Sequence, residues 1–191
     1  MGRNRTNRSK AKAQKPQSFW SGTNRSTIIR YGLVFPALLL IGFDLLSEGF
    51  TSHAIEAFDS AVASAAAGLI RVFHGHVIVQ GNLLASPQAG AQLKIINGCD
   101  GLHVSILLWA AILVYPSTWY GKLQGLGWGS MAIHILNVLR VVSLYYLLQY
   151  NRVLFDFAHL YVWEALITVD ALVAFALWAH LTSKVRTAHE A

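Results

Sequence analysis

The chain carries one cysteine, Cys99, within Ile95-Ile-Asn-Gly-Cys-Asp-Gly-Leu-His103. A lone thiol forms no intrachain disulfide and no multi-cysteine zinc site, which leaves an inert small hydrophobe or a nucleophile. Its position favours the nucleophile. Gly98 and Gly101 flank it and permit close approach of another backbone, and a helix expected to begin there would turn free N–H groups towards a thiolate or an oxyanion. Arg140 stands in Ile135-Leu-Asn-Val-Leu-Arg-Val-Val-Ser-Leu-Tyr-Tyr146, an otherwise apolar stretch. A guanidinium at the centre of a membrane helix costs about 2.5–3.5 kcal/mol on insertion scales, so it is expected to face a protein- or water-lined cavity and to be paired. Asn137 shares its helical face. The competing reading is structural: Arg140 snorkels to the surface, or pairs with Asp156 or Glu164 to hold helices together. His159, in Phe155-Asp-Phe-Ala-His-Leu-Tyr-Val-Trp163, is either a general base or one member of an aromatic belt at the membrane surface. Other histidines compete for the base role. His103 follows Cys99 by one helical turn and is too local, His74 and His76 fit a polar surface, and His134 lies deeper in the helix of Arg140. Thiol, cation and imidazole together are the groups that acyl transfer through a covalent intermediate requires.

Those residues sit in a chain whose composition argues against a soluble protein. Of its 191 residues 54% are hydrophobic and 13% charged, against about 25% charged in soluble domains, and mean hydropathy is +0.45. The net charge of +6 is unevenly placed, because Met1 to Arg30 holds eight Lys/Arg and no acid, leaving seven bases against nine acids. Nucleic acid is not an expected partner, since a binding face needs bases spread over a folded surface. A basic tail ahead of an apolar run instead keeps the N-terminus cytoplasmic.

The elements that must position the three groups follow from hydrophobic periodicity. Residues 1–27 read as a disordered basic cytoplasmic tail, and 28–46 as an uncleaved membrane anchor. Residues 47–98 read as extracytoplasmic: an amphipathic helix from Ala54 to Phe73, with Ile55, Phe58, Val62, Ala66, Leu69 and Phe73 on one face, then an extended arm. In the arm, two β-prone runs bracket Ser86-Pro87-Gln-Ala-Gly90. Residues 99–182 read as a three-helix catalytic core, with helices from Gly101 to Tyr115, Gly121 to Tyr150 and His159 to Leu181, and 183–191 as a cytoplasmic tail. The expected class is therefore an all-α membrane protein of about four transmembrane helices, with one amphipathic helix and a short β-like arm before Cys99. Gly121, Gly125 and Gly129 mark one face of the second core helix for close packing.

With the N-terminus inside, four spans place Ser47 to Asn97 and Asn151 to Ala158 outside and both termini in the cytoplasm. A five-span arrangement, with Ala54 to Phe73 crossing, moves Cys99 to the inner side, and its Glu56, Asp59 and Arg71 argue against it. At about 1.5 Å rise per residue, Cys99 stands about 24 Å above Tyr115, Arg140 about 28 Å above Gly121 and His159 about 37 Å above Lys184. These heights are compatible with one site in the outer leaflet.

Asn97-Gly-Cys99-Asp-Gly101-Leu at a helix start, Asn137-Val-Leu-Arg140 in the next helix and His159 at the outer start of the one after resemble the exosortase/archaeosortase family of membrane cysteine transpeptidases, over roughly Gly75 to Leu181. The Phe-Ala-His-Leu-Tyr-Val-Trp stretch and the short chain look most like exosortase H. The resemblance implies cleavage of a C-terminal sorting signal on secreted proteins, made of a short motif, a transmembrane helix and a basic cluster, at the extracytoplasmic face of the inner membrane. In that reading Cys99 is the nucleophile, His159 the general acid/base and Arg140 the stabiliser of thiolate or oxyanion. The acyl group passes to an accepting nucleophile that the resemblance does not name, and no metal or cofactor is required. Many family members have more spans. The alternative is a non-enzymatic membrane scaffold with Arg140 as a structural charge.

Overall fold

The computed structural model describes residues 29–47, 52–96 and 98–189. The basic tail of residues 1–27, and Asn97 of the Cys99 motif, lie outside the described residues. A π-helical turn, Arg30–Val34, leads into α1, Phe35–Ser47. The helix α2 spans Ser52–Val72, followed by β1 (Ile78–Gln80), β2 (Leu83–Ala85) and β3 (Gln92–Lys94). Then come α3 (Leu102–Val114), α4 (Trp119–Tyr150), the short α5 (Arg152–Phe157), a second π-helical turn (Ala158–Val162) and α6 (Trp163–His189). The protein is mostly helical but not purely so, because the arm folds as a small antiparallel sheet in the order β1-β2-β3. Its first β-prone run is itself a hairpin: Gln80 pairs with Leu83 across a two-residue turn. Gly81 takes φ +59° there, the left-handed first position at which tight hairpin turns favour glycine.

Two described helices are long and apolar enough to cross a membrane, Trp119–Tyr150 and the continuous helical segment Arg152–Ser183. The second has only 11% of its apolar window buried, and Leu166, Val169, Leu172, Val173, Leu177 and Leu181 stand exposed along it. Apolar side chains exposed over such a length suit lipid rather than water. The 13-residue α3 reaches about 20 Å, short of a hydrocarbon core of about 30 Å. Two boundaries differ from the sequence reading. The stretch expected as an outer loop, Asn151 to Ala158, is helical from Arg152, because Asn151 ends α4 and its side chain accepts from the N–H groups of Val153 and Leu154, starting the next helix within one residue. The last helix runs on to His189 past Ser183-Lys184, where neither glycine nor proline interrupts it.

The amphipathic helix exists and its apolar face is covered by protein. Val62, Ala63, Ala66, Ala67 and Ile70 are buried against Val77, Leu84 and Ile95 of the arm and Val141, Val142 and Tyr145 of α4. Polar ties fix the arm in place: the Tyr145 hydroxyl donates to His76 O at 2.7 Å, and Ser86 Oγ lies 2.9 Å from Gln149 Oε1. A second cluster joins α3, α4 and α6 through Leu108, Ile112, Ile133, Ile167 and Ala171. The small residues of α4 are filled from inside the molecule. A Cβ on Gly125 would stand 2.6 Å from Trp178 Nε1, one on Gly129 2.5 Å from Leu108 Cδ2, and the Trp178 indole donates to Gly121 O at 2.7 Å. The glycine face is therefore a packing surface of α4 against α3 and α6.

Candidate active site

Backbone punctuation around Cys99 comes from its glycines. Gly98 and Gly101 have φ of +96° and +82°, conformations that strain any residue with a Cβ. Gly101 lies against Asn137, whose Cβ and Cγ would stand 3.5 Å from a Cβ there, so the Cys99 loop rests directly on α4. The helix begins at Leu102, and its N–H donates to Asp100 Oδ1 at 3.1 Å. The sequence reading placed Cys99 at the helix start with free amides for the thiolate. Instead the thiol sits three residues before the first helical residue, and the amide of Leu102 is taken by its neighbour Asp100.

Three sequence-distant side chains meet at that thiol. Cys99 Sγ is 3.9 Å from His159 Nε2 and 3.9 Å from Arg140 Nη2, and Arg140 Nη2 is 3.5 Å from His159 Nδ1. Arg140 is 1% exposed inside α4, and Cys99 is half-buried. The His159 ring stacks on Phe155 one turn earlier, at 5.6 Å and 17°, which fixes its plane. No other histidine is placed at the thiol by a described contact: His103 packs on Phe43 of α1, His134 on Phe58 of α2, and the His76 carbonyl holds Tyr145.

The structural alternative for Arg140 named two carboxylates, and they separate. Glu164 pairs with Arg140 at 3.0 Å, whereas Asp156 pairs with Arg152 on its own helix at 3.6 Å. Glu164 thus joins the site although the sequence suggested it only as a bundle-holding charge. A spacing of five from His159 puts the two residues about 140° apart on an α-helix, but the π-helical turn Ala158–Val162 winds less per residue, and both side chains reach Arg140 Nη2. Nothing in the apolar pattern reports that turn.

A second acidic group was also missed. Asp59 of α2 and Asp100 are both buried, at 3% and 0% exposure. Asp59 Oδ1, Asp100 Oδ2 and both side-chain polar atoms of Asn137 lack a hydrogen-bond partner among the described residues. Burial, then the nearby Asp100 carboxylate, raise Asp59 to about 6, while a hydrogen bond from the Asn82 side chain opposes the rise. Burial likewise pushes the Cys99 thiol up. The Arg140 charge pulls it down, and the carboxylates of Glu164, Asp100 and Asp59 push it up again, with a net rise. The balance disfavours the thiolate form of Cys99. The described residues contain no cluster of three or more metal-ligating side chains.

No curated protein and no solved structure matches the chain. The transmembrane exosortase family does match, over residues 29–180, a stretch that includes α1, the arm and every group of the site. A match across that much of the sequence means that this chain belongs to the transmembrane exosortase family, which makes it a membrane protein of a transpeptidase family.

Proposed function

We propose that the protein is a membrane-embedded cysteine transpeptidase or protease that cleaves C-terminal sorting signals of secreted proteins through an acyl-enzyme on Cys99. The observation that carries this reading is the meeting of Cys99, Arg140 and His159 within 3.9 Å of one another from three separate segments. His159 Nε2 takes the thiol proton as Sγ attacks the scissile carbonyl. The carbonyl oxygen becomes an oxyanion, and the buried guanidinium of Arg140 stabilises it in a site of low dielectric. The His159 imidazolium then protonates the leaving amine, the C–N bond breaks and a thioester remains on Cys99. An incoming nucleophile, or water, gives its proton to His159 as it attacks the thioester; the C–S bond breaks, the acyl group leaves on that nucleophile, and the imidazolium returns the proton to the Cys99 sulfur.

The site is read as extracytoplasmic in the inner membrane, with the basic N-terminus and the C-terminus in the cytoplasm, the anchor, α4 and α6 as spans, and the short α3 as a fourth at which the bilayer thins locally. The accepted substrates are secreted proteins with a short motif, a transmembrane helix and a basic cluster. The decisive experiment co-expresses a protein carrying such a tail. Cys99→Ala and Cys99→Ser should abolish its processing while the enzyme accumulates normally, and processing that survives Cys99→Ala overturns the reading.

One observation favours the scaffold alternative, the Arg140–Glu164 ion pair at 3.0 Å. A scaffold would leave Cys99 a packed filler. An impermeant alkylating reagent added outside should label Cys99 readily if the reading above holds, and poorly in a scaffold.

A further inference from the structure

Resting on the acyl-transfer reading above, we infer that Glu164 is a positioning residue: it anchors the Arg140 guanidinium so that Nη2 stands between the thiol of Cys99 and the ring of His159. All three contacts of the guanidinium run through Nη2, and they are unequal. The contact to Glu164 Oε1 is 3.0 Å, within the range of a charge-assisted hydrogen bond, whereas those to His159 Nδ1 and Cys99 Sγ are 3.5 and 3.9 Å. Arg140 Nε has no partner among the described residues. The direction of a long, buried, rotatable side chain is therefore set by the one strong contact it makes.

Independent support comes from the backbone. Trp163 N–H reaches back to Ala158 O, the five-residue step of a π-helical turn, inside an otherwise continuous helical segment. Such turns are rare and concentrate at functional sites. This one brings His159 and Glu164 onto one face, so the base and the anchor of the cation descend from a single rigid segment. Glu164 is 54% exposed, so its carboxylate keeps solvent on one side while the guanidinium it holds is buried.

Because the chain has a single thiol, alkylation of the full-length protein by iodoacetamide across pH reads Cys99 alone and needs no substrate. Glu164→Gln keeps an oxygen that accepts from Arg140 but removes the negative charge that opposes the thiolate, so the alkylation midpoint should fall. Glu164→Ala removes the anchor as well, so the midpoint should lie above that of Glu164→Gln and approach that of Arg140→Met. Processing of a tail-bearing substrate should drop at least about tenfold in Glu164→Ala and stay within about threefold in Glu164→Gln. Should Glu164→Ala fail to accumulate, Glu164→Ser provides the same reading. Equal downward shifts in both variants would make Glu164 a charge without a positioning role, and unmoved midpoints would make it purely structural; either result overturns the inference. Wild-type protein that processes no substrate, yet shows the divergent midpoints, removes the acyl-transfer reading and leaves the positioning of Arg140 intact.

Discussion

Cys99 Sγ and His159 Nε2 lie 3.9 Å apart although 60 positions separate them in the chain. The thiol is held by a glycine-flanked loop resting on Asn137, and the imidazole by its stack on Phe155. Each group is thus oriented by its own neighbours.

A positioned general base contributes about 10²- to 10⁴-fold. His159→Ala should lower the processing rate by that factor with little change in protein level. His103→Ala, whose ring packs on Phe43 away from the thiol, should leave the rate within about twofold. Equal losses in both variants, measured as processed fraction against time, would deny His159 a special role.

Arg140→Lys should reduce processing at least about tenfold. The guanidinium meets Glu164, His159 and Cys99 through one nitrogen. A compact, strongly hydrated ammonium of different reach does not reproduce that arrangement. A time course of processing for the lysine variant, set against wild type at equal expression, checks it.

Asp59 ties the pH dependence of stability to the loop that carries Asp100 and Cys99. Its folded value of about 6 lies above the ordinary 3.8, so the folded state holds the proton more tightly than the unfolded chain does. The resulting destabilisation is absent below about pH 4, grows as pH rises and is complete above about pH 6. Asp59→Asn removes it. Thermal melts in detergent should show the variant more stable than wild type at pH 7 and the two converging at pH 4; a constant difference across pH would contradict the assignment.

Two glycines of α4 predict opposite signs. A Cβ at Gly125 meets the Trp178 ring at 2.6–2.8 Å, while one at Gly127 meets nothing within 4 Å. Gly125→Ala should therefore destabilise by about 1–3 kcal/mol through overpacking, whereas Gly127→Ala should stabilise by about 0.5–1 kcal/mol through reduced backbone entropy of the unfolded chain. Melting temperatures of the two variants decide it.

The sequence alone determined residence in a membrane, the asymmetric charge of the N-terminal tail, the amphipathic helix, the arm and the long apolar helices, because each is a pattern within one segment. It also singled out Cys99 and Arg140, since a lone thiol and a lone cation in an apolar helix stand out against their surroundings. The resemblance had already named His159 as the base, and tertiary structure brings its Nε2 to 3.9 Å from the sulfur. It also decided that Arg140 pairs with Glu164 rather than Asp156, and that Asp59 from a distant helix is buried close enough to Asp100 for the two carboxylates to repel. Periodicity reports which face of a helix is apolar, but not how far two helices rotate about each other. A π-helical turn shifts that rotation by part of a turn while leaving the apolar pattern nearly unchanged, so the alignment of His159 with Glu164 exists only in the folded chain.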